Sequence, residues 1–273
     1  MKSFQDKVCV VTGAGSGIGR ALAMNFASRG ARLALSDINE ENLQETADLL
    51  NIDKERILLS KVDVSQSDEL YRYADEVAKH FNRVDVLVNN AGVTVSDSFE
   101  ETSKEDFEWV MDINFWGVVH GSKAFLPYLR RSPEAALVNI SSIFGLIGFP
   151  YQGAYNASKF AVRGFTEALR LELSDSSVSP ISVHPGGIRT NIVKNARFKS
   201  NMLGGDSQSQ MIQTFDKYTL TTPEKAAQTI VRGIEKSKKR VLIGPDAWVV
   251  DSVARLLPNH YERLLTWLGK AIN

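Results

Sequence analysis

Short runs of β-branched and other apolar residues alternate with longer amphipathic stretches along almost the whole chain. The first run, residues 7–12, leads into a glycine cluster, and apolar residues then recur at four-residue spacing as Ile18, Leu22 and Phe26. This order predicts a buried strand, a glycine turn and an amphipathic helix. Further strands are predicted at residues 31–36, 56–62, 84–88, 134–140, 179–184 and 240–243. Helices are predicted at residues 20–29, 40–50, 66–81, 104–131, 154–173 and 223–236.

Strands that alternate with helices over the whole chain predict right-handed crossovers and one parallel sheet with helices on both faces. We therefore expect an α/β fold with a doubly wound sheet of about seven strands. No internal repeat, low-complexity tract or linker interrupts the pattern, so residues 1–245 are predicted to form one domain. Residues 246–273 are predicted to add a C-terminal helical extension.

The predicted extension carries two amphipathic runs, 248–257 and 261–268, separated at Pro258. We expect these helices to pack on the body of the protein or on a neighbouring subunit. The alternative is a weak association with a membrane surface, where a helix with an apolar face and nearby basic residues can lie in the interface. The basic residues among the two runs are Arg255, Arg263 and Lys270.

Composition narrows the class of function. The 273-residue chain has a formal net charge of zero, whereas nucleic-acid-binding proteins usually carry a basic excess, so no nucleic-acid partner is expected. Cys9 is the only cysteine, which excludes an intrachain disulfide. There is no signal-peptide pattern and no apolar run long enough to span a membrane, so a cytoplasmic location is expected. No metal site is expected either, because metal-ligand spacing is missing among His80, His120, His184 and His260.

A glycine cluster with the spacing Gly13-x-x-x-Gly17-x-Gly19 lies between the first predicted strand and helix. Glycines let the backbone approach a pyrophosphate closely, and the free N–H groups at a helix start bind its charge. The spacing differs from both GxGxxG and the P-loop pattern. Its position, with an acidic residue about 20 residues further on, nevertheless predicts a dinucleotide site.

That acidic residue, Asp37, ends the second predicted strand. A carboxylate there can accept hydrogen bonds from the adenosine ribose and would repel a 2′-phosphate. No basic residue occupies the next two positions, and Ser16 in the glycine cluster is neutral. The sequence therefore predicts a preference for NAD(H) over NADP(H). The alternative role for Asp37 is to cap the following helix, although Asn39 can also do this.

The stretch from residue 141 to residue 159 carries the candidate chemistry. Tyr155 and Lys159 are four residues apart, so a helix places them on one face. An ammonium beside a phenol lowers the phenol pKa, and such a tyrosine can exchange a proton with an alcohol or ketone. Ser142 can hydrogen-bond the same substrate oxygen. Because this spacing is common by chance, an ordinary helix with a surface Tyr and Lys is the alternative.

Taken in order, these motifs resemble those of the short-chain dehydrogenase/reductase family over about residues 5–245. The matching marks are Thr12-Gly13-x-x-x-Gly17-x-Gly19, Asp63-Val64, Asn89-Asn90-Ala91-Gly92, Asn114, Ser142, Tyr155-x-x-x-Lys159 and Pro185-Gly186. The resemblance implies a single-domain Rossmann-type fold and an alcohol dehydrogenase or ketone reductase that uses a nicotinamide cofactor.

The resemblance also implies roles for individual residues. Tyr155 would be the general acid/base, and Ser142 would polarise the substrate carbonyl. Lys159 would lower the Tyr155 pKa and hold the nicotinamide ribose, and Asn114 would help hold a water in a proton relay. The implied cofactor contacts are Gly13, Ser16, Gly17, Ile18, Gly19, Asp37, Asp63, Val64, Asn90, Ala91, Gly92, Tyr155, Lys159, Pro185, Gly186, Ile188 and Thr190.

Structural alternatives stay open for several of these residues. Asn114 can be a buried polar residue satisfied by backbone groups, and residues 89–92 can form a turn that locks the sheet. His184 is interpreted as a core or strand-end residue rather than a base. The alternative functions are a non-catalytic nucleotide-binding or scaffold protein, an NADP(H)-dependent carbonyl reductase, and an epimerase or dehydratase of the same family.

The substrate and the assembly are less defined by the sequence. Residues 188–220 resemble the family's mobile lid, and a lipophilic alcohol or ketone is expected because apolar residues flank the predicted site. The lid would contribute Phe198, Met202, Leu203, Met211 and Phe215, and the catalytic loop Phe144, Phe149 and Tyr151. The family commonly forms dimers or tetramers through two long helices, here predicted at about 104–131 and 154–174.

Overall fold

A computed structural model describes residues 1–200, 212, 213, 219 and 221–262 of the chain. Seven parallel strands form one sheet in the order β3-β2-β1-β4-β6-β7-β9, and β5 pairs with β8 in a separate two-residue ladder. The strands are β1 Val8–Thr12, β2 Arg32–Asp37, β3 Ile57–Lys61, β4 Val86–Asn89, β5 Val95–Ser96, β6 Ala135–Ile140, β7 Val178–Pro185, β8 Arg197–Phe198 and β9 Arg240–Ile243. The predicted α/β fold with a seven-stranded parallel sheet is confirmed.

Helices cover both faces of the sheet. The described helices are α1 Gly17–Ala27, α2 Glu40–Leu50, α3 Ser67–Phe81, α4 Lys104–Met111, α5 Gly117–Leu129, α6 Gly153–Glu172, α7 Pro223–Glu235 and α8 Pro245–Leu256. Side chains alternate along a strand, so β1 sends Cys9 and Val11 into the core under α1 and α7. Val8 and Val10 enter the opposite core, under α3 and α5.

The helix predicted at residues 104–131 is not continuous. It divides into α4 and α5, with a π-helical turn over Asp112–Trp116 between them. A π turn changes a single turn of the helix, which is too local for the apolar periodicity of the long predicted helix to reveal. Gly117 follows the turn, and a Cβ there would lie 3.0 Å from the Val64 side chain. The turn thus accompanies a close approach between this helix and the loop after β3.

The small β5–β8 ladder was also missed by the sequence pattern. Val95 pairs with Arg197 and Ser96 with Phe198. Two residues are too few to display an alternation of polar and apolar side chains. The ladder attaches Arg197 and Phe198 of the predicted lid to the segment after β4.

The described part of the extension packs on the sheet. Helix α8 begins directly after β9, and its Ala247 is buried against Leu242 and Leu146. Trp248, Val249 and Leu256 of the same helix are exposed. The second predicted run, 261–268, lies outside the described residues after position 262. Within the described ranges, no helix is long and apolar enough to cross a membrane.

Candidate active site

The predicted site residues gather at the carboxyl edge of the sheet. The sheet order places β1 between β2 and β4, so the connections from β1 and β4 leave in opposite directions. In parallel sheets, a crevice forms at such a point, outside the carboxyl ends of the strands. The glycine loop follows β1, residues 90–92 follow β4, Ser142 follows β6 and Gly186 follows β7.

The glycine loop is held tightly against the loop after β4. Gly13 has a positive φ of 64°, and a Cβ there would lie 2.8 Å from the Ala91 Cα. Asn90 Nδ2 donates to the main-chain oxygens of Thr12 (2.9 Å) and Gly13 (3.1 Å). A Cβ on Gly19 would overlap the Gly13 carbonyl. The loop therefore needs glycine for its conformation and for its packing.

Helix α1 begins beside this loop with its first turn uncapped. Ser16 is the N-cap residue, and its side chain makes no capping hydrogen bond. The first N–H groups of a helix have no partner within the helix, and together with the helix dipole they bind anions. Gly17 has a φ of 53°, and a Cβ there would lie 3.1 Å from Thr190 Cγ2. Thr190 and the glycine loop, which are far apart in the sequence, thus lie side by side in the fold.

Asp37 faces the same loop. Its Oδ2 accepts from the Gly15 N–H at 2.8 Å, and its Oδ1 accepts from the Asn39 N–H at 2.9 Å. Asn39 caps α2 by accepting from Asn42 N. The alternative role of Asp37 as that cap is therefore wrong, and its carboxylate lies beside the crevice.

Sequence reasoning missed a cation at the same glycine loop that Asp37 contacts. Arg20 of α1 donates to the Gly15 carbonyl and pairs with Glu45 of α2, both at 2.6 Å. Its Nε donates to Thr46 at 3.0 Å. Arg20 directly follows the glycine cluster, but Glu45 lies on the next helix, so only the folded structure reveals that Glu45 neutralises it.

The remaining adenosine-side residues lie on the loop after β3. Asp63 Oδ1 accepts from the N–H (2.9 Å) and hydroxyl (2.7 Å) of Ser65. Val64 is buried against Gly117. The two residues therefore have structural contacts of their own besides the cofactor role that the resemblance implies.

A buried amide network lies behind residues 90–92. Asn89 Nδ2 donates to Asn139 Oδ1 at 2.8 Å and to Ser122 Oγ at 3.1 Å. Asn139 Nδ2 donates to Thr166 Oγ1 at 3.0 Å. These bonds connect β4, β6, α5 and α6, so the predicted locking role of the Asn89 turn agrees with the geometry.

Ser142, Tyr155 and Lys159 lie together at the start of α6 and the end of β6. Lys159 Nζ donates to the Ile140 carbonyl at 3.0 Å and lies 5.5 Å from the centroid of the Tyr155 ring. Ser142 is the N-cap of a short 3₁₀ turn, where its Oγ accepts from Phe144 N at 3.1 Å. The alternative of a surface Tyr and Lys is wrong for Lys159, which is 3% exposed.

The pKa of Tyr155 differs from the value that its spacing to Lys159 predicts. Burial raises the pKa of Tyr155 to about 12, and a hydrogen bond with Ser142 acts in the opposite direction. Burial lowers the pKa of Lys159 to about 8. The predicted lowering of the Tyr155 pKa by Lys159 is therefore not seen in the protein alone, because burial dominates the shift.

Asn114 lies in the π turn and is fully buried. Its Oδ1 accepts from Val93 N at 2.8 Å, while its Nδ2 donates to Val93 O at 2.9 Å and to Ser158 Oγ at 3.1 Å. The interpretation of Asn114 as a polar residue satisfied by its neighbours is confirmed, and the relay role stays a prediction. A Cβ on Gly92 would lie 3.2 Å from Asn114 Oδ1 and 3.4 Å from Lys159 Nζ, which brings these three residues together.

His184 lies directly behind Ser142. Its Nδ1 is 3.1 Å from the Ser142 carbonyl oxygen and its Nε2 is 2.9 Å from Ser182 Oγ. A carbonyl only accepts, so Nδ1 carries the proton and Nε2 accepts from the serine hydroxyl. Burial lowers the pKa of His184 to about 4. The interpretation as a core residue is confirmed, but the contact with Ser142 was not foreseen.

Aromatic residues cover the loop between Ser142 and α6. Phe144 stacks on Phe149 with centroids 4.7 Å apart and meets the Tyr155 ring edge-on at 6.2 Å. Asn156, which sequence reasoning also missed, donates to the carbonyls of Phe144 (2.8 Å) and Ile147 (2.9 Å). The predicted lid residues Met202, Leu203, Met211 and Phe215 lie outside the described residues.

Comparison with known proteins identifies the fold family. The sequence model of the short chain dehydrogenases matches residues 7–201. The chain belongs to the short-chain dehydrogenase/reductase family. The Mycobacterium tuberculosis protein SadH, named as an oxidoreductase, is 44% identical over 268 residues, which cover 97% of this chain and 96% of that relative. The dehydrogenase/reductase SDR family member 7B of Xenopus tropicalis is 33% identical, with 88% and 78% covered.

Solved structures of the short-chain dehydrogenase/reductase family superimpose on almost the whole chain. A member from Burkholderia phymatum, solved in complex with NAD, has a TM-score of 0.85 and 31% identity, with 97% of each chain covered. Levodione reductase has a TM-score of 0.80 and 26% identity, covering 90% of this chain and 98% of its own. The protein is thus an oxidoreductase of this family, and its Rossmann-type fold is that of the family.

Proposed function

We propose that this protein is an NAD(H)-dependent oxidoreductase that interconverts a lipophilic secondary alcohol and a ketone. The observation that carries the proposal is the grouping of Ser142, Tyr155 and Lys159 beside the glycine-loop crevice. Lys159 Nζ is 5.5 Å from the Tyr155 ring centroid, and Ser142 opposes the effect of burial on the Tyr155 pKa. A serine, a tyrosine and a lysine in this arrangement supply a carbonyl-polarising hydroxyl, a proton donor and a cation.

The crevice fits a dinucleotide cofactor. Gly13 and Gly17 hold the backbone open where a Cβ would meet Ala91 and Thr190, and the uncapped start of α1 suits a pyrophosphate. Asp37 would hold the adenosine ribose, and Lys159 the nicotinamide ribose. When bound, the nicotinamide ring carries the hydride. The Burkholderia phymatum relative, solved with NAD, supports this cofactor class.

The chain's own residues would manage the proton. Tyr155 has a raised pKa of about 12 in the protein alone, so its phenol is protonated at neutral pH and ready to donate to a ketone oxygen. Ser142 would donate a hydrogen bond to the same oxygen as negative charge builds on it. In the direction of oxidation, the Lys159 ammonium would stabilise the phenolate that accepts the alcohol proton.

Replacing the Tyr155 hydroxyl tests this mechanism. Tyr155→Phe should lower kcat by about 10³-fold or more, because the proton donor is lost, while the Kd for NADH changes less than about threefold. Tyr73→Phe is the matched control, since it removes the hydroxyl of another buried tyrosine, on α3. This variant should keep the turnover of the wild type. Turnover is followed by NADH absorbance over a panel of alcohols, steroids, retinoids and long-chain 3-hydroxyacyl compounds.

Two outcomes would oppose the mechanism in different ways. Near-normal turnover of Tyr155→Phe would remove Tyr155 from the chemistry. A wild-type protein that binds NADH but converts no compound of the panel would favour the alternative of a non-catalytic nucleotide-binding protein on this fold.

We also propose that Asp37 sets the preference for NAD(H). Its carboxylate lies against Gly15, and the neighbouring Arg20 is engaged by Glu45 rather than free for a 2′-phosphate. Asp37→Ser should shift the ratio of kcat/KM for NAD to that for NADP by about tenfold or more towards NADP, because a like-charge repulsion is removed. An unchanged ratio would assign the preference to another residue. Glu45→Gln, which frees Arg20, should shift the ratio in the same direction by less.

The surface supports two further proposals about association. Trp116 and Phe160, on the predicted interface helices, are 46% and 41% exposed, which suits a homodimer or homotetramer. Sedimentation of Phe160→Asp should then show a smaller species.

The exposed Trp248 and Leu256 of α8 suit the alternative of weak membrane-surface binding. If neither the full chain nor Trp248→Ser floats with liposomes, the membrane proposal is wrong.

A further inference from the structure

We propose that Asp246, in the first turn of α8, is a positioning residue that holds the loop after β7 in the form required for cofactor binding. This inference rests on the proposed function. It makes the start of the C-terminal extension part of the active site, although the predicted domain boundary at residue 245 separates the two.

The contact is direct. Asp246 Oδ2 accepts from the Gly187 N–H at 2.7 Å. The same carboxylate packs on the Gly186 Cα so closely that a Cβ on Gly186 would overlap it. Gly186 N in turn donates to the Ile243 carbonyl at 2.9 Å. Both peptide N–H groups of this Gly-Gly pair are thus held by the segment that ends β9 and begins α8.

The backbone before Asp246 is shaped for this contact. Gly244 has a φ of 94°, a conformation that side chains disfavour. A Cβ on Gly244 would overlap the Asp246 carboxylate and lie 3.1 Å from Thr221 Oγ1. Pro245 then fixes the first helical position. Glycines at 186 and 244 therefore leave the space that the carboxylate of Asp246 occupies.

The held loop leads into residues implied in the cofactor site. Ile188 follows Gly187 directly, is 4% exposed, and pairs with Thr221 in an isolated bridge. Thr190, two residues further on, lies against Gly17 of the glycine loop. A shift at Gly187 would therefore move Ile188 and Thr190, the two residues of this loop that the resemblance places in the cofactor site.

The C-terminal extension also contacts the loop that follows Ser142. Ala247, next to Asp246, is buried against Leu146. Tyr261 Oη accepts from the Gly148 N–H at 3.3 Å. The loops that follow Ser142 and Pro185 are thus tied to the same C-terminal segment, which explains how an extension outside the sheet can affect the site.

An acidic residue in the first turn of a helix has a simpler role, because it also stabilises the helix dipole. Substitution can separate the two roles. Asp246→Asn keeps a carbonyl acceptor for Gly187 N but loses the charge, whereas Asp246→Ala loses both. A dipole role predicts similar effects for the two variants, and a positioning role predicts rescue by Asn. Asp251→Asn is the control, because Asp251 ties α8 to Arg240 of β9 and pairs with Arg255 within α8, without contact to Gly187.

The experiment measures NADH affinity by fluorescence, steady-state kinetics, and hydrogen exchange of residues 185–190 without cofactor. Asp246→Ala should raise the Kd for NADH and the KM for NAD about tenfold, lower kcat less, and speed exchange at Gly187. Asp246→Asn should stay within about threefold of the wild type in Kd. Asp251→Asn should lower the unfolding temperature but leave the Kd and the exchange at Gly187 unchanged.

Equal effects of Asn and Ala, or unchanged exchange at Gly187 in Asp246→Ala, would overturn the inference. Failure of the proposed function has a different signature. A wild-type protein that does not bind NADH would refute the proposed function, while the hydrogen exchange would still decide whether Asp246 holds the loop.

Discussion

The two ends of the sheet each bury a charged side chain, but the surroundings of the two charges differ. At the amino end, Asp85 is fully buried and accepts from Val8 N (3.0 Å), Ser132 Oγ (2.6 Å) and Arg83 Nε (2.7 Å). At the carboxyl end, the buried Lys159 donates to one carbonyl among the described residues, that of Ile140. Asp85 thus accepts hydrogen bonds from three different residues. Lys159, by contrast, uses one of its three N–H bonds among the described residues.

This difference separates a charge that serves stability from one that serves function. A buried charge is costly unless hydrogen bonds and an opposite charge replace the lost water. Asp85 has both, since Arg83 forms an ion pair with it. The pKa of Lys159 is lowered to about 8 by burial alone, which corresponds to an unfavourable free energy of about 3 kcal/mol for the charged form. The cofactor ribose hydroxyls implied for Lys159 would supply the missing acceptors.

The largest effect is expected at the paired end. Asp85→Ala should lower the free energy of unfolding by about 3–5 kcal/mol, because Val8 N and Ser132 Oγ lose a buried partner. Asp85→Asn keeps the shape and should lose roughly half as much. Urea unfolding measures both variants, and Asp48→Ala on the exposed face of α2 should change stability by less than about 0.5 kcal/mol.

The Asp85 variants also test whether stability can be changed without changing activity. Folded Asp85→Asn should keep the NADH affinity and turnover of the wild type, because the whole sheet lies between Asp85 and the crevice. A loss below about 1 kcal/mol in both Asp85 variants would mean that the amino-end cluster does not stabilise the fold.

The opposite sign is expected at the carboxyl end. Lys159→Met replaces a buried ammonium by an apolar chain of similar length, and it should raise the free energy of unfolding without cofactor by up to about 3 kcal/mol at pH 7. Turnover should fall by about 10³-fold or more. Lys123→Met on the exposed face of α5 is the matched control and should change neither quantity much. If Lys159→Met is less stable than the wild type, the ammonium is better compensated than its described contacts indicate.

Sequence reasoning found the parts of this site whose signals are local. The glycine spacing, Asp37 at a strand end and the four-residue step from Tyr155 to Lys159 are visible without the fold, because each depends on neighbouring residues. The strand and helix alternation predicted the sheet for the same reason. The π turn at Asn114 was not predicted, since it alters only one turn of a long helical pattern.

Contacts between distant residues were beyond the sequence. Arg20 is neutralised by Glu45, which lies on the next helix, and His184 holds the Ser142 carbonyl across the sheet. Asp246 reaches Gly187 over 59 residues. A single sequence carries no signal for such pairs, because nothing in the spacing distinguishes a carboxylate that faces only solvent from one that also holds a loop. Asp85 shows the same limit, as its role depends on Ser132, 47 residues away.

The smallest expected effect is the pH dependence of stability that Lys159 causes. The folded pKa of about 8 is below the ordinary value of 10.5, so the unfolded chain binds more protons than the folded protein between these values. The cost of burying the ammonium is therefore fully present below about pH 8 and decreases as the pH rises towards 10.5. The stability gained by Lys159→Met should shrink by about 2 kcal/mol between pH 7 and pH 9.5. Urea unfolding of both proteins at these pH values measures the change, and an advantage that stays constant would assign it to packing rather than to the charge.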